Sequence, residues 1–249
     1  MSADFQALMP LVVQPGGARE TFAALEQAVE ERNWLHLQAM QAGGSPAAEE
    51  LVVPGFDGSL EGGVVLASGG SQGGRSLCLQ PWPHLDRSAA ATGRWLEGIG
   101  LCPEGLMLLN PLPLHHISGL MPWWRSRLWG AQHVSLPPPL MKDPPSLLAA
   151  CLDLPGWGQK PAVVSLVPTQ LKRLLDHPEG VAWLQDLVLV WVGGAGLPAP
   201  LAERARELGI CLAPCYGATE TAAMVVAQAP AQFLQGQLGC GAPLDDVEL

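Results

Sequence analysis

The stretch LASGGSQGGRSLCL, Leu66 to Leu79, sets a glycine- and serine-rich loop between two apolar runs. Four of the six residues from Gly69 to Gly74 are glycine, and Arg75 comes next. A loop this bare lets backbone N–H groups approach phosphate oxygens, with Ser68 and Ser71 as hydroxyl donors and Arg75 as the charge. Gly69-Gly70-Ser71-Gln72-Gly73 also fits the G-x-S-x-G pattern of a hydrolase nucleophile. Walker A loops and nucleophile elbows both run directly into a helix. Here SLCLQP comes instead, which is strand-like and ends in proline. That leaves two readings of the loop itself: a phosphate wrap between two strands, or a hairpin turn without a ligand.

Further chemistry sits just past other apolar strands, where open α/β sheets bind ligands. PLPLHHISGL places His115 and His116 after the strand GLMLLN. Adjacent imidazoles are expected to diverge, one packed and one exposed. VWVGGAGLP runs a buried strand into Gly193, Gly194 and Ala195, whose lack of bulk suits a flat ring as well as a tight turn. CYGATETAAM sets Tyr216, Gly217, Thr219, Glu220 and Thr221 within six residues. Two threonines suit phosphate oxygens and Glu220 is a hard oxygen donor for Mg²⁺. The plainer reading is a helix start, with Thr219 as cap and Glu220 in the first turn. MPWWRSRLWGA sets Arg125 and Arg127 among three tryptophans. One of these arginines fits a carboxylate clamp, the other a solvated or ion-paired surface position.

The elements that must position these groups can be read from hydropathy. Residues 19 to 41 read as one amphipathic helix, with Phe22, Leu25 and Val29 on one face. From residue 62 onward strands and helices alternate: GVVLAS, SLCLQP, a helix from Leu85 to Leu96, GLMLLN, the tryptophan-rich helix, QHVSL, PPSLLAACLDL, PAVVSL, PTQLKRLLD, LVLVWV, APLAERAREL and ICLAPC. This is the signature of an α/β domain with a largely parallel sheet. The 249 residues are 48 % apolar and 14 % charged, enough for a substantial core. The net charge of −10 argues against a nucleic-acid surface, so an anionic substrate needs a local basic site. No apolar run reaches transmembrane length and the N-terminus lacks a signal pattern, so a cytoplasmic protein is expected. The six dispersed cysteines read as buried free thiols, not as a metal site.

Taken in this order, the segments resemble the acyl-adenylate-forming (AMP-binding) superfamily. ASGGSQGGRS resembles its phosphate loop, and PLHHISG its acyl-pocket motif. SLVPTQLKRLL, GGAGLP and YGATET resemble the next three landmarks, and GQLGCGAPLDDVEL the segment after them. The likeness runs from about residue 62 to the C-terminus. Within the superfamily, LPLHHISGLMPWWRSRLWGA and SLVPTQL look most like the o-succinylbenzoate–CoA ligases of menaquinone and phylloquinone synthesis.

The resemblance implies a layered α/β/α core with largely parallel sheets over residues 61–249, preceded by a reduced helical region over 1–60. It implies ATP-dependent activation of an aryl or acyl carboxylate and thioester formation with coenzyme A. Ser68, Gly69, Gly70, Ser71, Gly73, Gly74 and Arg75 would wrap the phosphates. His116, Arg125, Ser165, Thr169 and Leu171 would line the acid pocket, with Arg125 on a distal carboxylate. Gly193, Gly194 and Ala195 would flank adenine and the substrate ring. Tyr216 and Gly217 would pack on the nucleotide, Thr219 would bind the α-phosphate and Glu220 would hold Mg²⁺. Gly74 and Arg75 stand where the family carries Pro and Lys. The family's lid and its lysine have no counterpart in this sequence, so an N-terminal core with impaired adenylation is expected. Small-molecule binding is expected without nucleic acid or membrane insertion, and a homodimer is compatible with the sequence. The rivals are a serine hydrolase using Ser71 and a non-catalytic nucleotide-binding module.

Overall fold

The computed structural model describes residues 8–13, 18–39, 62–68 and 76–248, and among them eleven strands and eight α-helices succeed one another. In chain order they are β1 (Met9–Val13), α1 (Ala18–Glu30), β2 (Trp34–Ala39), β3 (Gly63–Ser68), β4 (Ser76–Pro81) and α2 (Trp82–Gly98). Next come β5 (Met107–Asn110), α3 (Ile117–Trp129), β6 (Gln132–Ser135), α4 (Pro144–Leu152), β7 (Ala162–Leu166), α5 (Pro168–Leu175) and α6 (Pro178–Gln185). The last are β8 (Leu189–Val192), α7 (Ala199–Glu207), β9 (Leu212–Ala218), β10 (Ala223–Ala227), α8 (Pro230–Leu234) and β11 (Ala242–Pro243).

The strands form two sheets. A four-stranded sheet has the order β1-β2-β3-β4, and a seven-stranded sheet the order β11-β10-β9-β8-β7-β5-β6. In the larger sheet β6, β5, β7, β8 and β9 are parallel, and β10 and β11 add antiparallel at the edge. Alternation along the parallel strands sorts side chains to two faces. Met107, Leu109, Val164, Leu166, Val190, Val192 and Leu212 pack against α4 to α8, through Leu147, Leu171, Leu174, Trp183 and Phe233. Leu108, Val163, Leu189, Trp191 and Ala213 face the other way, toward Ala91 and Leu96 of α2. Beyond that layer, α1, α2 and α3 pack on β2 and β3 through Leu25, Leu35, Leu37, Val64, Leu66, Leu85 and Leu120. The α/β/α layering expected from sequence is present, with the smaller sheet as a further layer outside it.

One expected element is replaced. The helix predicted over residues 19 to 41 ends at Glu30, and Trp34–Ala39 is a strand. Arg32 adopts a left-handed conformation (φ 55°), which stops the helix and turns the chain. WLHLQA then pairs in parallel with β1 and β3. The boundary expected at residue 61 therefore runs through a continuous sheet, because β2 on one side pairs with β3 on the other. The strand predicted after the glycine loop is found: β3 and β4 pair antiparallel from Gly63 opposite Pro81 to Ser68 opposite Ser76. A strand where the elbow and Walker folds need a helix removes the basis for both. The loop residues Gly69, Gly70, Ser71, Gly73, Gly74 and Arg75 lie outside the described residues.

The helix layer between the sheets is organised on tryptophan. Trp124 of α3 is 1 % exposed and stacks on Trp82 of α2, with ring centroids 5.1 Å apart and planes within 6° of parallel. The Trp124 Nε1 donates to Asp86 at 3.0 Å. Trp124→Ala removes both the stack and the packing between α2 and α3. A loss of about 3–5 kcal/mol is expected in urea denaturation, and Trp124→Phe should lose clearly less.

Candidate active site

The site is built where β7, β8 and β9 end. Alternation along these strands places Ser165, Trp191 and Cys215 on the face toward α3, with Ser165 registered opposite Trp191. Together with α3 and the β9–β10 turn they enclose a cavity of about 400 Å³, within the ordinary range for small-ligand sites. Ala67 and Ser68 at the end of β3 reach the same cavity, so the strand that enters the glycine loop opens onto it.

Asn110 closes β5 and orders the crossing into α3. Its Nδ2 donates to the Gly119 carbonyl at 2.8 Å, and its Oδ1 accepts from the Leu112 N–H at 3.3 Å. Gly119 has to be glycine, because a Cβ would sit 2.1 Å from the Pro113 oxygen. This tight crossing places His116 at the N-terminal boundary of α3, in the cavity wall. The two rings lie against each other, with centroids 4.3 Å apart, yet differ in exposure as expected, and only His116 reaches the cavity. His116 is exposed and His115 half-buried beside it.

Two turns of α3 further on, Arg125 is 3 % exposed and also borders the cavity. Its guanidinium carbon lies 5.6 Å from the Trp191 ring centroid, a cation–π distance. Its Nε and Nη2 are buried with no hydrogen-bond partner among the described residues. Burial lowers its pKa to about 10, so it is still a cation at neutral pH. Cys215 beside it is pushed up to about 12 by burial and stays a neutral thiol. The second arginine takes the other expected role. Arg127 is exposed, pairs with Glu26 at 2.9 Å and lies over Trp124 at 5.4 Å.

From the β9–β10 segment, Tyr216, Gly217, Thr219 and Glu220 all line the cavity. No helix starts at Thr219. Residues 219–222 form the turn of the β9–β10 hairpin, so the capping reading is corrected. Tyr216 is 59 % exposed, an aromatic face open to a flat partner. Gly193 and Gly194 complete the wall, and Gly194 is left-handed (φ 78°). A Cβ at Gly193 would lie 2.9 Å from the Cys215 sulfur, so bulk there would press β8 against β9.

Three expected wall residues are elsewhere. Leu171 is fully buried on the α5 stripe with Leu174, facing the opposite side of the sheet. Thr169 is exposed near the start of α5 and Ala195 is exposed past Gly194; neither lines the cavity. Trp191, Cys215 and Met121 line it too, although the motifs that contain them give these three no role. Strand parity identifies the first two, since both share a face with Ser165.

The sequence profile of the AMP-binding enzyme family matches residues 83–249. The chain belongs to the AMP-binding enzyme family. Among relatives of this AMP-binding chain, the 2-succinylbenzoate–CoA ligase of Escherichia coli (strain K12) is 37 % identical over 141 residues, 57 % of this chain and 27 % of that protein. The o-succinylbenzoate coenzyme A synthetase (MenE) of Bacillus subtilis, solved with ATP and magnesium ion, matches the fold with a TM-score of 0.62 at 22 % identity, over 95 % of this chain and 45 % of that one. A variant of E. coli MenE with bound OSB-AMS gives a TM-score of 0.52 at 28 % identity, over 85 % and 40 %. This member of the family thus matches about a quarter of the E. coli ligase's length and under half of either solved chain.

Among the described residues, no cluster of three or more His, Cys, Asp or Glu side chains is placed to hold a metal ion. Glu220 alone fits the way Mg²⁺ is held in nucleotide sites, by one or two carboxylates with the remaining ligands from phosphates and water. No described helix is long and apolar enough to cross a membrane.

A buried cation with no partner among the described residues destabilises the empty fold. Because the folded value is lowered, the penalty applies at every pH below about 10, where the group is charged, and fades above it. Arg125→Met, similar in volume and apolar, should therefore raise the stability of the ligand-free chain by about 1–3 kcal/mol. Thermal unfolding at pH 7 checks this, and a fall in melting temperature would show that Arg125 serves the fold itself.

Proposed function

We propose that this chain binds and activates o-succinylbenzoate, using ATP and Mg²⁺, for transfer to coenzyme A as a thioester. The observation that carries the reading is Arg125, a cation at neutral pH with two donor nitrogens unpaired among the described residues, at the wall of an apolar cavity in an acidic protein. A buried guanidinium of this kind binds a carboxylate in a fork. Trp191 beneath it, with Met121 and Ile117 nearby in the wall, suits the aryl ring between the acid groups. Support comes also from the E. coli and B. subtilis relatives, whose names state the same acid.

The chemistry is acyl transfer by way of phosphate. An oxygen of one substrate carboxylate attacks the α-phosphorus of ATP, and pyrophosphate leaves with the P–O bond electrons. The coenzyme A thiolate then attacks the acyl carbon and AMP departs. The obstacle to the first step is repulsion between two anions, so the protein's task is positioning and charge neutralisation. Mg²⁺, when bound, supplies positive charge at the phosphates. Glu220 would hold it, Thr219 would donate to the α-phosphate, and Ser68 with the loop at 69–75 would meet the remaining oxygens. Tyr216, Gly217, Gly193 and Gly194 would receive the adenine, and His116 would orient the reacting carboxylate. The six free cysteines suit a reducing cytoplasm.

Titration calorimetry with o-succinylbenzoate tests the reading. Wild type should bind, and Arg125→Ala should lose about 100-fold in affinity; equal binding by both would refute the clamp. The same group sets the pH dependence. Arg125 is charged below about 10 and neutral above it. Affinity should be level from neutral pH to near that value and then fall about tenfold per unit. A decline already complete at pH 8 would assign the binding to another group.

A further inference from the structure

We infer that Gln80 is a positioning residue for the Thr219–Glu220 turn, fixing it against the strand that leaves the glycine loop. The inference rests on the nucleotide reading above and adds a residue that touches neither substrate. Gln80 lies in β4 of the small sheet and is 2 % exposed. Its Nε2 donates to the Thr219 carbonyl at 2.6 Å, across 139 residues of sequence. Eight residues on, the Ser88 hydroxyl of α2 donates to the Ala222 carbonyl, also at 2.6 Å. These two bonds hold both ends of the turn from outside. From inside, Thr221 Oγ1 accepts from the Ala218 N–H at 2.9 Å and lies 2.7 Å from the Ala223 carbonyl oxygen.

The turn needs such holding. Ala222 (φ 52°) and Ala223 (φ 81°) both have positive φ without being glycine, a conformation that persists only when its surroundings over-determine it. Gly217 opposite has no room for a side chain, since a Cβ would sit 2.0 Å from the Ala223 oxygen. Gln80 is also an unfavourable choice for the fold alone. Its Oε1 is buried with no hydrogen-bond partner among the described residues, a penalty that leucine of similar size would avoid. An amide kept against that penalty is kept for its N–H. The consequence is geometric: the carboxylate of Glu220 and the exit of the loop at 69–75 are tied through one side chain, so a metal–nucleotide complex meets both at a set spacing.

The test compares Gln80→Leu and Ser88→Ala with wild type in the full chain, by three measurements. Melting temperature reports the fold. Amide hydrogen exchange of residues 220–223 reports the turn. Water-proton relaxation of Mn²⁺–ATP reports the metal–nucleotide complex. Gln80→Leu should melt at or above the wild-type temperature, speed exchange in the turn about tenfold and weaken Mn²⁺–ATP about tenfold. Its o-succinylbenzoate affinity, set at the Arg125 end, should change less than about twofold. Ser88→Ala should likewise speed exchange in the turn and weaken Mn²⁺–ATP. Unchanged exchange and Mn²⁺–ATP affinity in Gln80→Leu, or losses spread equally over both ligands with a lower melting temperature, would overturn the assignment. Failure of wild type itself to bind Mn²⁺–ATP would overturn the nucleotide reading along with it, so the two failures are told apart by the wild-type measurement.

Discussion

A buried guanidinium that meets no counter-charge among the described residues organises this molecule around its cavity. Arg125 sits on a helix wedged between two sheets, so its charge has left water and found the face of Trp191 and the neutral thiol of Cys215. A fold under selection for stability alone would place an apolar residue there, as α3 does at Leu120, Met121 and Trp124 around it. The acidic surface sharpens the contrast. With a formal charge of −10, the protein repels anions in general and offers a desolvated cation at one wall of the cavity.

The second constraint is that the site spans a seam. Ser68 belongs to the small sheet, Trp191 and Tyr216 to the large one, and His116 and Arg125 to the helix layer between them. Sliding of one sheet past the other would separate the groups. The packing of α2 on α3 resists this through the Trp82–Trp124 stack and the Trp124–Asp86 hydrogen bond. The polar bonds from Gln80 and Ser88 resist it at the rim, where apolar area is scarce. Apolar packing sets the distance between the layers, and directional hydrogen bonds set the register of one small turn. The two kinds of interaction are used where each is effective.

Much of the fold is legible because the parallel strands are buried on both faces and bounded by proline or glycine. LVLVWV, PAVVSL and GLMLLN read as strands for that reason, and APLAERAREL and PTQLKRLLD as helices from their stripes. WLHLQA misleads because it follows α1 so closely, although Leu35 and Leu37, two residues apart, fit strand alternation and not a helical stripe. Pairing with β1 and β3 makes it a strand, and neither partner is local. The separation into two sheets is likewise invisible in the sequence, since hydropathy gives the period of a strand and not its partner.

The site divides along the same line. His116, Tyr216, Glu220 and the glycines past β8 are legible because loops at strand ends carry their chemistry in consecutive residues. Arg125 stands out as a charge in an apolar helix. Motif position puts Thr169 and Leu171 in the pocket, yet a helix of eight residues has only one side toward the sheet. Leu171 takes that side, which is the face away from the cavity. Gln80 gives no signal, because a glutamine near the end of a strand is unremarkable until the residue it touches is known. Its partner is the main chain of Thr219, and backbone leaves no mark in a hydropathy pattern. Residues that act by holding backbone across a fold are therefore the class that sequence reading misses, even when every side chain they position has been identified.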